Sequence, residues 1–322
     1  ASATFTRPEI AAVGVPQTAI DDGTVPARTI MLPLTTNARA KMSLLRRGFA
    51  PHRRALALVG GALGQRAAGT SVHQTTLGGV PVEIATPPRY AGAASIVYLH
   101  GGAYVALAPR GYRRLVTQLA LATGCRVVAV DYRLAPEHPY PAALEDAVTV
   151  CTAERAERPH EKLVIAGDSA GGGLTMATAI ALRDRGYELP AALICISPWV
   201  DLTCSGDSVT TRARQERILS PAGLAADARL YAGAEQLDSP AVSPLFADLS
   251  GLPPMMIQVG DDEVLLDDST RLADAARHAG VTVSLQIWPG LWHVWHLYAG
   301  LLPEADAAMR AIADFVHEPS AS

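Results

Sequence analysis

Apolar positions along this chain gather in short runs separated by stretches of helical periodicity. Val72–Thr76 and Val80–Thr86 flank Leu77-Gly78-Gly79, which predicts a β-hairpin. From there strands and helices alternate. Ser95–Leu99, Arg126–Val130, Leu163–Gly167 and Ala192–Ser197 read as strands, with helices expected over Tyr112–Ala122, Ala142–Arg155 and Gly172–Asp184 between them. Met255–Val259, Asp268–Ala279, Val281–Ile287 and Pro303–His317 extend the pattern as strand, helix, strand and helix. Runs rich in Val, Ile and Leu without strict alternation belong to strands buried on both faces, as in a parallel sheet covered by helices. The expected class is therefore α/β, with a doubly wound, mostly parallel sheet of eight strands.

Two stretches interrupt this regularity. Residues 1–70 are rich in Pro, Ala and Arg with helical character, and residues 201–251 form a long connection between two strands. The second stretch contains Ser220-Pro221, an N-cap followed by Pro at the first helical position. A connection of that length inside a compact domain usually has a function. The expected division is an N-terminal cap segment at 1–70, a core at 71–200, a cap insertion at 201–251 and the rest of the core at 252–322. The cap segments would cover the carboxyl edge of the sheet, where ligands bind in open α/β folds.

Composition narrows the function. Of 322 residues, 49% are apolar and 18% charged, with net charge −4, so no concentrated basic face points to nucleic acid. Cys125, Cys151, Cys195 and Cys204 show no paired spacing and read as reduced core thiols of a cytoplasmic protein. No apolar run is long enough to span a bilayer. Arg46-Arg47 and Arg53-Arg54 precede Ala55–Val59 in the manner of a twin-arginine signal. Their position well inside the chain favours a helix with a basic outer face instead.

The chemistry centres on Gly167-Asp168-Ser169-Ala170-Gly171, a G-x-S-x-G pentapeptide between a buried strand and a small-residue helix. A sharp strand-to-helix turn exposes the serine hydroxyl, and the glycines let the backbone make that turn. Ser169 is thus the expected nucleophile. In such sites the base follows the acid in the chain, and His293 is the first histidine after the last strand. His296 would lie on the next turn, and a His-x-x-His metal pair lacks a third ligand, so no metal is expected. His100-Gly101-Gly102-Ala103 ends the strand Ser95–Leu99. Amides of Gly101, Gly102 and Ala103, with that of Ala170, are candidate donors to an oxyanion, and His100 itself is expected to brace the loop. Tyr104, Trp199, Trp292 and Trp295 fall near loop ends on the catalytic edge; Tyr104, Trp199 and Trp292 are expected to touch substrate and narrow the pocket. The acid must lie in the loop Gly260-Asp261-Asp262-Glu263 after the strand Met255–Val259, where three carboxylates compete.

These motifs resemble those of the hormone-sensitive-lipase family of α/β hydrolases, in its bacterial esterase branch. The resemblance rests on His100–Tyr104, Asp131-Tyr132-Arg133-Leu134-Ala135-Pro136-Glu137, Gly167–Gly172, Asp261–Asp268 and Gly290–Trp295, and it covers residues 95–296. It implies an α/β-hydrolase fold with a helical cap, oxyanion donation by Gly102 and Ala103, and no cofactor. Ala103 stands where most members carry a third glycine, and its N–H is retained. The family's acid spacing points to Glu263, with Val264-Leu265 in place of Pro-Leu; Asp262 requires a slip of one residue and Asp261 of two. Asp267 or Asp268 is expected to cap the following helix.

The expected activity is hydrolysis of short- to medium-chain acyl esters through Ser169, His293 and Glu263. A lactonase or amidase would use the same machinery, while a non-catalytic receptor would have lost the base that His293 supplies. The expected partner is a small-molecule ester, with no nucleic acid and no membrane span, and a homodimer is left open.

Overall fold

The computed structural model describes residues 65–318. Its sheet has eight strands: β1 (Ser71–Leu77), β2 (Val80–Thr86), β3 (Ala94–Leu99), β4 (Arg126–Val130), β5 (Lys162–Asp168), β6 (Ala192–Ile196), β7 (Met255–Gly260) and β8 (Val283–Trp288). They lie in the order β1-β2-β4-β3-β5-β6-β7-β8. The pairs β1–β2 and β2–β4 are antiparallel and the remainder parallel. Between strands run α1 (Arg113–Thr123), α2 (Ala142–Glu157), α3 (Ala170–Asp184), α4 (Ser208–Thr211), α5 (Pro221–Ala232) and α6 (Leu266–His278), and α7 (Pro303–His317) follows β8.

Strand residues sort by alternation into two cores. Ile96, Tyr98, Val127, Ala129, Val164 and Ile194 pack with Leu115 and Leu119 of α1 and with Met309 and Ile312 of α7. Their neighbours Val97, Leu99, Val128, Val130, Ile165 and Leu193 pack on the opposite face with residues of α2, α3 and α6. Both faces of the central strands are thus covered, which explains why their sequences read as unbroken apolar runs.

From β3 the chain steps outward to β4, then returns past β3 to β5. This reversal leaves a crevice at the carboxyl ends of β3 and β5. Leu99 pairs with Gly167, so the loop starting at His100 lies directly beside the turn at Asp168-Ser169.

The connection at 201–251 carries α4 and α5, and Ser220 caps α5 by accepting the Gly223 N–H at 3.1 Å, as expected. Tyr231 of α5 stacks on Tyr104 with ring centroids 3.6 Å apart and planes 7° apart. Asp267 and Asp268 depart from expectation. Neither caps α6, whose N-cap position is Leu265 and makes no side-chain cap bond. Asp268 Oδ2 accepts the N–H groups of Val200 and Asp201, both at 2.9 Å, and Asp267 accepts that of Ser208 at 2.8 Å. The first turn of α6 faces loop amides that lack strand partners, and satisfying those displaces local capping. The 1–70 cap segment up to residue 64, including Arg46-Arg47 and Arg53-Arg54, lies outside the described residues. Among the described residues no helix is long and apolar enough to cross a membrane.

Candidate active site

Strand β5 delivers Ser169 at φ 54° and ψ −122°, a conformation L-residues rarely adopt. Packing enforces it. Ser169 donates its N–H to Ile196 O at 2.9 Å and accepts the Trp199 N–H at 2.9 Å, so the end of β6 grips both sides of the turn. A Cβ on Gly171 would overlap the Leu99 carbonyl, and one on Gly167 would overlap the Gly171 carbonyl. Only glycine lets α3 start this close to the sheet. The hydroxyl therefore sits at the N-terminus of a 15-residue helix, whose free amides favour negative charge.

The loops after β7 and β8 interlock around His293. Asp261 accepts the Gly290 N–H, and the Asp262 N–H reaches Leu291 O at 3.3 Å. His293 Nδ1 donates to Glu263 Oε2 at 2.8 Å. The other carboxylate oxygen, Oε1, accepts the Gly260 N–H and the Ser197 hydroxyl, each at 2.7 Å. Of the three competing carboxylates, Glu263 is the one bonded to His293, while Asp261 braces the loop leading to it. With Nδ1–H committed to Glu263, Nε2 is the unprotonated nitrogen, as a proton acceptor requires. Burial works against the imidazolium, but the bond and charge of Glu263, with added charge from Glu216 and Asp168, hold the His293 pKa above its ordinary 6.5.

His296 is buried one turn on, with Nε2 donating to Gln258 Oε1 at 2.7 Å. The Gln258 amide N–H groups go to Gln286 Oε1 and Ala308 O, which fixes that orientation. Burial pushes the His296 pKa down to about 3, so it is a neutral anchor for the turn after His293. No group of side chains suited to a metal ion occurs among the described residues.

The loop after β3 requires one correction. The Gly101 N–H donates to Asp168 Oδ1 at 3.0 Å, so it is committed to that carboxylate rather than available to an oxyanion. Asp168 also accepts the hydroxyls of Tyr98 at 2.7 Å and Tyr112 at 3.0 Å. Burial raises its pKa to about 6 against the pull of these donors. Beyond Gly101, the N–H groups of Gly102, Ala103 and Ala170 make no hydrogen bond among the described residues. Gly102 has φ 112°, and a Cβ there would overlap the Ala106 carbonyl. His100 braces the loop as expected. Its Nδ1 donates to Gly101 O at 2.7 Å, its ring stacks on Tyr132 at 4.3 Å, and burial lowers its pKa to about 4.

The three aromatic residues expected at the pocket are packed as follows. Trp199 has no accessible surface and its indole N–H donates to Asp201 O at 3.1 Å. Tyr104 is stacked under Tyr231, and Trp292 packs edge-on to Tyr298 at 5.8 Å. All three are buried in the cores, where large rings gain more from packing than at a wet pocket wall. Sequence reasoning missed the positions of Asp168 and Ser197. The available signal was location: both sit at carboxyl ends of central strands, where side chains line the crevice.

Comparison with known proteins identifies the fold and family. A profile of the α/β-hydrolase fold matches residues 96–297. An acetyl-hydrolase of Streptomyces hygroscopicus is 44% identical over 242 residues, spanning 75% of this chain and 81% of that protein. A crystal structure of an esterase from the bacterial hormone-sensitive lipase family superposes with TM-score 0.81 at 38% identity, covering 84% of this chain and 91% of the other. The esterase EstE5, soaked with p-nitrophenyl butyrate, superposes with TM-score 0.80 at 35% identity, covering 96% and 100%. The chain belongs to the α/β-hydrolase fold family, in its bacterial hormone-sensitive-lipase branch, and is a carboxylic ester hydrolase.

Proposed function

We propose that this hydrolase cleaves short- to medium-chain acyl esters through an acyl-enzyme on Ser169, with His293 as base and Glu263 as acid. The observation that carries the reading is the buried 2.8 Å pair of His293 and Glu263, carried on the loops that share the crevice edge with a serine held at φ 54°. His293 Nε2 takes the Ser169 proton as Oγ attacks the ester carbonyl. The oxyanion rests on the N–H groups of Gly102, Ala103 and Ala170, which have no competing partner among the described residues. The imidazolium, stabilised by Glu263, returns its proton to the departing alcohol oxygen. Water then adds to the acyl carbonyl by the same path and releases the acid and free Ser169.

Short acyl groups fit two relatives: one named an acetyl-hydrolase, the other soaked with a four-carbon acyl ester. The 201–251 connection serves in this reading as part of a cap over the crevice. A series of p-nitrophenyl esters from acetate to dodecanoate tests it. Maximal kcat/KM is expected between about two and eight acyl carbons, each fitting methylene contributing ~0.8 kcal/mol. Ser169→Ala should lower kcat by ~10⁶-fold while leaving the fold intact. Highest rates on emulsified long-chain triglycerides, or retention of several per cent of activity without Ser169, overturn the proposal.

A further inference from the structure

Glu216 lies in the 201–251 connection, between α4 and α5, and is bonded on both carboxylate oxygens. Oε1 accepts three successive backbone N–H groups, Ile218 at 2.7 Å, Arg217 at 2.8 Å and Leu219 at 3.1 Å. Consecutive amides converging in this way form a concave seat for an anion. Oε2 reaches out of the connection to accept the N–H of Val264 at 3.2 Å. Val264 is buried and directly follows Glu263, the residue bonded to His293. The turn bearing Glu216 is itself held, because Ile218 and Leu219 pack against the two apolar cores on opposite faces of the sheet.

A local staple would need only the three amides of its own turn. Here the second oxygen reaches 48 residues along the chain to the acid-bearing loop. The same carboxylate is close enough to act electrostatically on both His293 and Glu263. We infer that Glu216 is a positioning residue that clamps the acid loop to the connection and adds a second negative charge behind the base. This rests on the assignment of His293 and Glu263 proposed above.

The charged and titratable groups facing His293 are Glu263 from the loop after β7, Glu216 from the connection, Asp168 from β5, and neutral His296 on its own turn. Of these, Glu216 alone is carried by an element outside the sheet and its flanking loops. Its charge favours the imidazolium that forms as Ser169 attacks. Removing that charge must lower the pKa of His293, so the acid limb of kcat/KM moves to lower pH.

The test compares Glu216→Gln with Glu216→Asp. Gln can keep its carbonyl oxygen on the three amides, but it loses the charge and sets an N–H against that of Val264. Asp keeps the charge with a shorter reach. For Glu216→Gln the acid-limb midpoint should fall by about half a unit to one unit, as expected for a partly buried charge some ångströms from the ring. Its kcat should drop several-fold with KM within about twofold, the signature of an interaction made in the transition state. Glu216→Asp should hold the midpoint within about 0.2 units while losing part of kcat. The His293 imidazole, assigned by its absence in His293→Gln, is titrated in parallel by NMR in both variants. That readout does not depend on the catalytic assignment. An unmoved imidazole pKa in folded Glu216→Gln overturns the inference and leaves the triad reading intact. Full activity in His293→Gln overturns the triad reading, whatever the titration shows.

Discussion

The hydroxyl of Ser197 stands 2.7 Å from Oε1 of Glu263 and 3.3 Å from the N–H of Val294, so one side chain joins Glu263 to the residue after His293. Ser197 follows β6 at φ 45°, is fully buried, and donates its own N–H to Gln258 O on the neighbouring strand. That backbone seat fixes where the hydroxyl points. It donates to the carboxylate and accepts from Val294, using both capacities of the group.

Ser197→Ala should therefore weaken catalysis without removing any reacting group. It takes one of three hydrogen bonds from Glu263 and leaves the Val294 N–H unpaired in the interior. A bond to a charged acceptor is worth roughly 1.5–3 kcal/mol, and part of that is felt only as the imidazolium forms. The expected result is a kcat lower by about tenfold, KM little changed, and a modest fall in thermal stability. Kinetics on p-nitrophenyl acetate with parallel thermal unfolding check it. An unaltered kcat would show that Gly260 alone suffices to orient the acid.

The choice among the carboxylates after β7 can be read kinetically. Glu263→Gln loses the charge that stabilises the imidazolium and invites the wrong tautomer, as Gln offers an N–H to Nδ1. The expected loss in kcat is ~10⁴-fold or somewhat less. Asp262→Asn should cost little, because its contact with the base loop is through its own backbone N–H to Leu291 O. The reverse ranking would remove Glu263 from the mechanism.

Much of this arrangement was legible in the sequence, and what was not has a common cause. β4 at Arg126–Val130 and α7 at Pro303–His317 match the expected spans residue for residue, since continuous apolar runs and a helix opening on Pro carry strong local signals. The turn at Ser169 and the bonded pair His293 and Glu263 stand where chain order and loop position pointed. The side-chain bonds that tie Ser197, Asp168 and Glu216 to other elements join residues 48 to 97 positions apart, with no repeating local pattern to mark them. Gly101 was misread for the same reason: its amide partner comes from the strand next door. The burial of Tyr104, Trp199 and Trp292 was not legible, because loop-end aromatics look alike in sequence whether they line a pocket or fill a core. The expected start of α3 at Gly172 came two residues late, since glycine propensity argues against helix where the elbow's close packing demands it.

The electrostatics of His293 set the pH dependence. As the proposed base it works only when neutral, so kcat/KM should rise with pH through its pKa in the free enzyme. Burial alone would push that pKa down, but Glu263, Glu216 and Asp168 together raise it above 6.5. The midpoint of the acid limb should accordingly lie above pH 6.5, with a plateau on the alkaline side. In Glu263→Gln the largest raising influence is gone and burial remains, so the residual activity should show a midpoint below that of the parent. A parent midpoint at or below 6.5 would mean that desolvation outweighs the carboxylates.

Asp168 ties the nucleophile turn to the loop that carries Gly102 and Ala103. Its Oδ1 holds the Gly101 N–H and the Tyr98 hydroxyl, and its Oδ2 holds the Tyr112 hydroxyl, all within the protein interior. Asp168→Ala would strand three buried donors at once. Each unpaired group costs roughly 1–3 kcal/mol, less where a tyrosine hydroxyl turns to another acceptor or water enters, so a total loss of about 2–4 kcal/mol is expected. The catalytic effect should be separate from this. Without its tether the loop no longer holds the Gly102 and Ala103 amides in register with that of Ala170, and loss of one oxyanion donor costs ~10²–10³-fold in kcat. Asp168→Asn keeps one carbonyl oxygen for the Gly101 amide, so its kcat should lie much nearer the parent than that of Asp168→Ala, even though its amide must accommodate a tyrosine hydroxyl. Measuring kcat for both variants at a temperature where each is fully folded isolates the tether from stability. Equal kcat in the two would show that the loop holds its shape through His100 and Tyr132 alone, and that Asp168 contributes only to folding.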